Sequence, residues 1–352
     1  MGKGVVGLKI GASALAAARL STNGTIRLEQ LAREPLTPGV VTAGEVRDVP
    51  ALASALKSFF KKHKLPRRGV RVGIANNRVG VRTIELSGID DPRQLTNAIR
   101  FRAQEVLPIP LEEAVLDYQI LSDEQGDDGA SRKRVLLVVA YRDLIDAYMA
   151  ACKDAGLRLA GIDLEAFALL RALVQPSPQG AERSVLVAVA VGAERSTLAV
   201  SDGYTCDFTR VIEWGGTALT GALARVLDVD PEAAERIKRE LTLDGEGPAG
   251  ELSAESAARA RDALHLGLQT FARELVSSLQ FYQGQPDSLG IREVVLAGGT
   301  AQLGGLAIAL ERLIGVPVRV GDPLAAVAAA KKLKGEPVTP SLAVPIGLGM
   351  AV

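Results

Sequence analysis

Two short apolar runs, each ending at a Gly-Ala turn, are the segments of this sequence best suited to chemistry. Residues 4–13 read GVVGLKIGAS, and residues 185–196 read VLVAVAVGAERS. A strand that runs into a glycine turn presents backbone N–H groups, which can bind phosphate. The first run carries Lys9 two residues before its glycine, whereas the second carries Ala190. The side chains at these two positions decide whether such a phosphate site could also hydrolyse its ligand.

The composition sets the scale of the protein and excludes several classes. A chain of 352 residues is too long for one ordinary core, so two domains or two halves are expected. The 41 basic residues balance the 41 acidic ones, which argues against non-specific nucleic-acid binding. No apolar run reaches the roughly 18 residues of a membrane span, and the short apolar run at the N-terminus favours a strand over a secretory signal.

The few cysteines and histidines argue against two further kinds of site. Cys152 and Cys206 lie in apolar or strand-like segments and are predicted to be buried, reduced thiols. With only His63 and His265 besides, the sequence predicts neither a zinc site nor a histidine-based catalytic triad.

The two halves of the chain show the same order of predicted elements. Each reads as strand, Gly-Ala turn, strand, hairpin, strand and helix, and Asn-Gly or Asp-Gly marks the hairpins. This repeat predicts an α/β protein with two like-folded lobes and a cleft between the glycine turns. The polar, proline-containing segment 175–183 is the predicted linker. The predicted elements are strands Val5–Ile10, Leu15–Leu20, Thr25–Leu31 and 70–76, helix Pro50–His63, strands Ser184–Val191, Thr197–Ser201 and Thr205–Ile212, and a helix from about Gly216.

Each half also carries a predicted insertion. The first runs from about Arg82 to Gly161, with a helix that begins after Asp91 and two strands around residues 116–121 and 134–140. The second runs from about Leu227 to Ile291 and includes a long helix over 253–282. The leucines and Phe271 on one face of that helix predict a packed seam and not a cofactor site.

Four segments together resemble a known family. They are AIRFRAQEVLPIPLEEAVLDYQIL (98–121), GIDLEAFALLRAL (161–173), FTRVIEWGGTALTGALA (208–224) and VVLAGGTAQLGGLAIAL (294–310). In order and spacing they are similar to PilM, the cytoplasmic actin-like protein of type IV pilus machines. The resemblance implies an actin-like, ribonuclease H-like two-lobed fold with a small subdomain inserted in each lobe. The implied boundaries are 1–81, 162–178 and 325–352 for the first lobe, 82–161 for its insertion, 179–226 and 292–324 for the second lobe, and 227–291 for the helical insertion.

The resemblance also implies a nucleotide site that binds ATP or ADP. Taken alone, each of its segments is typical of an ordinary turn or a solvated helix pair; only their common order favours a nucleotide. The implied contacts are the phosphate turns Gly11-Ala12-Ser13 and Gly192-Ala193-Glu194, the helix-opening turn Gly215-Gly216-Thr217, the pair Glu235 and Lys238 for ribose and adenine, and the adenosine turn Gly298-Gly299-Thr300.

Lys9 and Ala190 depart from the family pattern. Related chains have Asp at both positions, where the carboxylates hold Mg²⁺ largely through water, and they have a lysine at the position of Ala16. An ammonium and a dication should not share one site, because like unit charges about 4 Å apart repel by roughly 4 kcal/mol at an effective dielectric of 20. Bound Mg²⁺ and Mg²⁺-dependent hydrolysis are therefore not expected. Two interpretations of Lys9 remain open: it contacts the phosphates as a tethered cation, or it extends to solvent beside a vestigial pocket.

The leading hypothesis is a scaffold without catalytic residues, at the cytoplasmic face of the inner membrane. The resemblance implies that it binds the cytoplasmic tail of a PilN-like membrane protein in a groove between the first lobe and its small insertion, at about residues 70–121. It further implies membrane association through such partners, contact with a pilus motor ATPase, and homo-oligomers. The alternatives are an active ATPase of the same fold, an FtsA-like division protein, the cytoplasmic domain of a type II secretion protein, and a sugar kinase.

The basic run KSFFKKHKLPRR (57–68) allows two interpretations. Clustered lysines can contact anionic lipid, but such a run is more often the solvated end of a helix.

Overall fold

A computed structural model describes residues 4–21, 25–106, 109–125, 131–174, 184–244, 252–286, 288–330, 333 and 338–350. The predicted Asn-Gly turn at 23–24 and the predicted linker 175–183 lie outside these residues. Within them, no helix is both long enough and apolar enough to cross a membrane.

The first sheet has six strands and contains the predicted meander. Strands β1, β2 and β3 pair antiparallel in sequence, since a glycine turn after β1 lets β2 return alongside it. Strand β6 pairs parallel with β1, and β10 pairs parallel with β6. The order is β10-β6-β1-β2-β3-β16, built from β1 (Gly4–Ile10), β2 (Ala14–Ser21), β3 (Arg27–Pro35), β6 (Arg68–Ile74), β10 (Arg158–Leu164) and β16 (Ala328–Ala329).

The second sheet has five strands and repeats this arrangement. Its first three strands form an antiparallel meander, and the next strand pairs parallel with the first. The predicted internal repeat is therefore present in the sheet topology. The order is β13-β12-β11-β14-β15, built from β11 (Val185–Val191), β12 (Ser196–Ser201), β13 (Cys206–Ile212), β14 (Ile291–Ala297) and β15 (Val318–Val320).

Two smaller sheets complete the strands of the described residues. The short hairpin of β4 (Val41–Thr42) and β5 (Glu45–Val46) is not evident from hydrophobic periodicity, because each strand has only two residues. The three-stranded sheet has the order β7-β9-β8, with its own apolar core against helix α2. Its strands are β7 (Val79–Ser87), β8 (Ala114–Gln125) and β9 (Ser131–Tyr141), so this unit begins slightly before the predicted start at Arg82.

Helices cover the sheets and begin where the sequence provides caps. Asp48 and Asp230 each accept a backbone N–H at the start of a helix that has proline in its first turn. The apolar stripe of the longest helix is buried, which confirms its predicted packing role. The helices are α1 (Val49–Lys62), α2 (Pro92–Val106), α3 (Arg142–Asp154), α4 (Glu165–Leu173), α5 (Gly216–Leu227), α6 (Pro231–Glu240), α7 (Ala254–Gln283), α8 (Leu306–Ile314) and α9 (Ala343–Met350).

Helices α4 and α9 lie between the two large sheets. Helix α9 packs on β1 and β2, and α4 contacts both α9 and the second sheet. Their backbones approach so closely that a Cβ at Gly347 would lie 1.8 Å from the carbonyl oxygen of Ala168. A Cβ at Gly7 would likewise lie 2.0 Å from the carbonyl oxygen of Pro345. These glycines allow two helices to fit into the layer that joins the sheets.

Both cysteines are buried and free, as predicted. Burial raises the pKa of the Cys152 thiol to about 12, so this group stays protonated at neutral pH.

Candidate functional site

The second glycine turn, between β11 and β12, is the centre at which most predicted site residues meet. The carbonyl of Gly192 accepts hydrogen bonds from Gly216 N at 2.9 Å and from Thr300 Oγ1 at 3.0 Å. The carbonyl of Ala193 accepts two bonds from Thr217, from its backbone N and from its Oγ1, each at 2.8 Å. The predicted turns at 192–194, 215–217 and 298–300 are therefore one assembled cluster.

Close backbone contact explains two glycines of this cluster without a ligand. A Cβ at Gly215 would lie 2.4 Å from the carbonyl oxygen of Ala193. Gly298 has φ +90°, and its Cβ would lie 2.3 Å from the carbonyl oxygen of Val191. Gly299 differs, because it is exposed and its Cβ position has no atom within 4 Å. Its backbone is the part of this turn that lies open to a ligand.

Glu235 and Lys238 lie on helix α6, and Lys238 contacts the cluster at the first residue of α5. The buried Lys238 Nζ donates to the carbonyl of Gly216 at 3.1 Å, to Thr220 Oγ1 at 2.8 Å and to Glu235 Oε2 at 2.5 Å. Thr220 also donates to Glu235, at 2.6 Å. Sequence reasoning missed Thr220, because it lies 15 residues before Glu235 on another helix.

The charges of this pair respond to burial and to each other. Burial raises the pKa of Glu235, but hydrogen bonds from Lys238 and Thr220 outweigh it, so the pKa lies below its ordinary value. Burial lowers the pKa of Lys238, and the bond to Glu235 only partly opposes this shift. The Lys238 ammonium, which Glu235 holds in place, fixes the backbone carbonyl of Gly216.

The first glycine turn, between β1 and β2, makes its hydrogen bonds within the first sheet. Gly11 N donates to the carbonyl of Ala14 at 3.0 Å, and the carbonyl of Ser13 accepts from Leu36 N at 3.0 Å. Gly11 and Ala12 are partly buried, and Ser13 is exposed. None of the hydrogen bonds in the described part of the chain joins this turn to the cluster around Gly192.

Lys9 forms a partly buried ion pair that hydrophobic and motif patterns do not predict. Its Nζ lies 2.7 Å from Oε2 of Glu165, and the two side chains are 19% and 8% exposed. Glu165 begins helix α4, 156 residues away in sequence, so no local spacing indicates the contact. Gly73 leaves room for it, because a Cβ there would lie 3.2 Å from Glu165 Cγ. An ammonium carries three N–H donors, and the bond to Glu165 uses one of them.

The strand register places Lys9 beside the position at which the resemblance implies a lysine. Lys9 lies directly opposite Ala16 in the antiparallel pair of β1 and β2. Side chains of such a pair project from the same face about 5 Å apart. The Lys9 side chain therefore projects from the same face of the sheet as Ala16.

Ala190 provides no polar atom at the equivalent place of the second sheet. It is 2% exposed and belongs to an apolar cluster with Ala188 and Ala297 and with residues of α4 and α9. In the described part of the chain, no group of three or more His, Cys, Asp and Glu side chains could hold a metal ion. The donors present at positions 9 and 190 thus do not fit a divalent cation.

Glu194 and its neighbour connect the second glycine turn to the first half of the chain. Glu194 Oε2 accepts a hydrogen bond from the backbone N of Ala43 at 2.8 Å. Arg195 Nη2 donates to the carbonyl of Ala75 at 2.6 Å. Ala43 has φ +48° in the turn between β4 and β5, a conformation unfavourable for a residue with a Cβ. The Glu194 side chain thus joins the turn to this hairpin, and the predicted phosphate contacts of the turn are those of its backbone amides.

A groove of about 440 Å³ lies between β7 and β13, the edge strands of two different sheets. Tyr141 and Val139 of the three-stranded sheet line one side, and Phe208 of β13 and Phe281 of α7 line another. No carboxylate lines it within the described chain. The full lining is Ile74–Arg82, Ile109, Val139, Tyr141, Leu164, Ala166, Thr197, Phe208–Val211 and Phe281.

Polar contacts bridge both ends of this groove. At one end, Asn77 Nδ2 donates to Glu213 Oε1 at 2.7 Å. At the other, Arg134 Nη2 lies 3.8 Å from Asp207 Oδ1. Lining segment 74–82 and Ile109 fall within the predicted binding region 70–121, but β13 and Phe281 do not. Sequence reasoning missed these two walls, because the chain segments that form them are far apart in sequence.

Comparison with known proteins places the fold. One solved structure, described as a PilM-PilN type IV pilus biogenesis complex, matches with a TM-score of 0.81 and 28% identity over 98% of this chain and 97% of that one. The protein EutJ from Carboxydothermus hydrogenoformans matches with a TM-score of 0.59 and 17% identity over 99% of this chain and 90% of that one. MreB5 of Spiroplasma citri, solved with ADP, matches with a TM-score of 0.55 and 13% identity over 98% and 94%. The predicted actin-like α/β fold is confirmed.

Sequence comparison gives the family. The cell division protein FtsA of Escherichia coli K12 is 25% identical over 240 residues, which are 62% of this chain and 56% of FtsA. The chain thus spans little more than half the length of these curated relatives. The family model described as type IV pilus assembly protein PilM matches residues 7–352. Because this match covers nearly the whole chain, the protein belongs to the PilM family of type IV pilus assembly proteins.

Proposed function

We propose that this protein is a scaffold of a type IV pilus machine and binds the cytoplasmic tail of a PilN-like inner-membrane protein. The groove between β7 and β13 carries this proposal. Its lining segment 74–82 and Ile109 fall within the binding region predicted at residues 70–121, whereas the rest of its lining does not, and it offers apolar side chains without a carboxylate. The match to a PilM-PilN complex over 98% of the chain supports a partner of this kind.

The proposal includes the place and the organisation of the protein. We propose that it acts at the cytoplasmic face of the inner membrane, where its partners hold it, and that it contacts a pilus motor ATPase and forms homo-oligomers. We also propose the predicted division into two lobes with an insertion in each; α3 and β10 pack with the first sheet, so the first insertion would end near Tyr141 and not at Gly161. The repeated strand order of the two large sheets supports a division into two like lobes.

We further propose that the protein binds ATP or ADP without hydrolysing it. The fifteen predicted site residues remain the proposed binding set, with the turns at 11–13 and 192–194 on the phosphates and with Glu235, Lys238 and the turn at 298–300 on the adenosine side. Lys9 would supply positive charge in place of Mg²⁺, since Glu165 uses only one of its three donors. Bound nucleotide would stabilise the closed protein by mass action and would not be consumed. An active ATPase is disfavoured by the partly buried Lys9–Glu165 pair and by the apolar surroundings of Ala190.

A variant of the groove tests the scaffold proposal. Val81 lies on β7 and lines the groove, so Val81→Asp would bury a carboxylate against a bound apolar tail. We expect it to weaken binding of a synthetic N-terminal peptide of the PilN-like partner at least about tenfold, since each 1.4 kcal/mol is a factor of ten. Isothermal titration calorimetry or fluorescence anisotropy measures the affinity.

The matched control for this experiment is Ile120→Asp. Ile120 lies on β8 of the same three-stranded sheet, is 41% exposed and does not line the groove. It should leave peptide affinity unchanged. Equal losses in both variants would contradict the groove as the site, and no binding of the peptide to the unmodified protein would contradict the scaffold proposal itself.

A variant on helix α6 tests the nucleotide proposal. Lys238→Met removes the donor that fixes the carbonyl of Gly216 and leaves the Glu235 carboxylate without its buried cation. We expect nucleotide affinity, measured with a fluorescent ATP analogue in the presence of EDTA, to fall at least about tenfold. Arg236→Gln is the control on the same helix, because this side chain is 65% exposed and pairs only with Glu232. Unchanged affinity in Lys238→Met would argue that the pair is structural.

A further inference from the structure

Six exposed basic side chains lie at the end of the first sheet where strands β6 and β10 begin. They are Lys61, Lys64, Arg67, Arg68, Lys153 and Arg158, which we name the basic edge.

The basic edge is formed by two helix-to-strand connections that lie side by side. Helix α1 leads into β6 through Lys64, which has φ +52°, and α3 leads into β10 through Gly156, which has φ +75°. Since β6 and β10 are parallel neighbours, both connections reach the sheet at the same end of its strands. Arg158 N donates to the carbonyl of Arg67 at 2.7 Å, which joins the two connections directly.

The basic edge concentrates positive charge in a protein whose total charge is balanced. Residues 61–68 and 153–158 contain seven lysines and arginines and a single carboxylate, Asp154, whereas the whole chain has 41 basic and 41 acidic residues. Lys62 is paired with Glu34 at 2.7 Å and is not counted in the basic edge. Among the described residues, no carboxylate lies within 4 Å of the charged groups of the six side chains. Their charge therefore faces solvent.

Nothing apolar accompanies this charge at the surface of the two connections. Phe59, Phe60, Leu65 and Leu157 are between 1% and 6% exposed and face the core. Interfaces with folded proteins depend on buried aromatic or aliphatic anchors, which these connections do not present. Flexible cationic side chains without an anchor suit a diffuse layer of negative charge, such as anionic phospholipid head groups.

The position of the basic edge agrees with a membrane on this side of the molecule. Groove residues 74–82 follow the opposite end of β6, which has seven residues and is therefore about 23 Å long. A membrane at the basic edge would leave the groove accessible to a peptide that emerges from the bilayer. An extended tail of about seven residues spans the same length.

We propose that the basic edge binds anionic phospholipid membranes directly, in addition to any attachment through a protein partner. The attraction is electrostatic, so it should weaken as salt rises and should not need a particular head group beyond its negative charge.

Vesicle flotation of the full chain tests this proposal without any partner. The protein is mixed with vesicles of phosphatidylcholine and phosphatidylglycerol, or of phosphatidylcholine alone, at low and high salt. The test variant combines Lys64→Glu, Arg67→Glu and Arg158→Glu. The matched control reverses three exposed arginines of the second half of the chain, Arg236, Arg273 and Arg312, to glutamate. Circular dichroism and thermal unfolding establish that both triple variants are folded.

The expected result is binding to the anionic vesicles only, lost at high salt, at least about tenfold weaker in the test variant and retained in the control. Either of two results would overturn the proposal: absence of flotation for the unmodified protein, or equal losses in the two triple variants. A parallel titration with duplex DNA tests whether the basic edge binds nucleic acid, the other extended source of negative charge. Tighter binding to DNA than to the anionic vesicles would assign the basic edge to nucleic acid and would likewise overturn the lipid proposal.

Discussion

Lys9→Asp is expected to make both the stability and the nucleotide affinity of this protein depend on a divalent cation. The substitution places a second carboxylate beside Glu165, whose side chain is only 8% exposed. Like charges about 4 Å apart repel by roughly 4 kcal/mol at an effective dielectric of 20. Without metal, the variant should therefore unfold at a lower temperature than the unmodified protein.

Magnesium or manganese should reverse this loss, because two carboxylates and bound phosphate oxygens are the hard ligands that these ions prefer. We expect the metal to raise the thermal midpoint of Lys9→Asp in the absence of nucleotide. It should also raise the affinity of the variant for ATP at least about tenfold. Added metal should change neither the thermal midpoint nor the ATP affinity of the unmodified protein, and its ATP binding should persist in EDTA.

Lys9→Met is the matched control, since it removes the ammonium and adds no ligand. It leaves the buried Glu165 carboxylate unpaired, so a loss of about 3 kcal/mol in the free energy of unfolding is expected, and metal should not restore it. If metal raised the thermal midpoint of Lys9→Met as much as that of Lys9→Asp, the hypothesis that Lys9 acts in place of a metal ion would be contradicted. Vigorous Mg²⁺-dependent phosphate release by the unmodified protein would contradict it as well.

Gly347→Ala should lower the free energy of unfolding more than most substitutions that add one methyl group, because it disturbs the layer between the two large sheets. The added carbon would lie 1.8 Å from the carbonyl oxygen of Ala168 and 2.6 Å from its carbonyl carbon, so the backbones of α9 and α4 must separate. Separation also strains the bond from Arg171 Nε to the carbonyl of Gly347, which is 2.9 Å long. We expect a loss of about 3 kcal/mol in the free energy of unfolding, measured by denaturation in urea.

Gly221→Ala provides a control of opposite sign for this experiment. Gly221 lies inside helix α5, and the nearest atom to an added Cβ is the flexible end of Arg225 at 3.6 Å. Alanine favours the helix by up to about 1 kcal/mol over glycine, so this variant should be slightly more stable. A denaturation midpoint for Gly347→Ala at or above that of the unmodified protein would contradict the close contact of the two helices.

Local sequence patterns predicted most of the fold because the elements concerned are regular and self-contained. The strands before Gly11 and Gly192 are short apolar runs that end at glycine turns, so their pairing with the next strand follows from short-range signals. Helix α6 begins after a capping Asp230 with proline in its first turn. The hairpin of β4 and β5 was not predicted, since two-residue strands carry no periodicity.

The candidate site was predictable in its parts and not in its connections. The clustering of Gly192, Gly216 and Thr300 agrees with the order of motifs along the chain. The partner of Lys9 was not predictable, because Glu165 comes from a helix 156 residues later. The contact of the Glu194 carboxylate with Ala43 was not predictable either, because the two residues come from different halves of the chain. Such contacts depend on how the sheets are packed together, which no local pattern encodes.

The walls of the proposed binding groove have a mechanical consequence. They come from the first sheet, from the three-stranded sheet and from β13 with α7, and the polar contacts of Asn77 and Arg134 join the β7 side of the groove to the β13 side. A bound tail that contacts all three walls would hold them together. Force transmitted along such a tail would then be shared among the three walls, and backbone amides of β7 and β13 would exchange with solvent more slowly while the tail is bound.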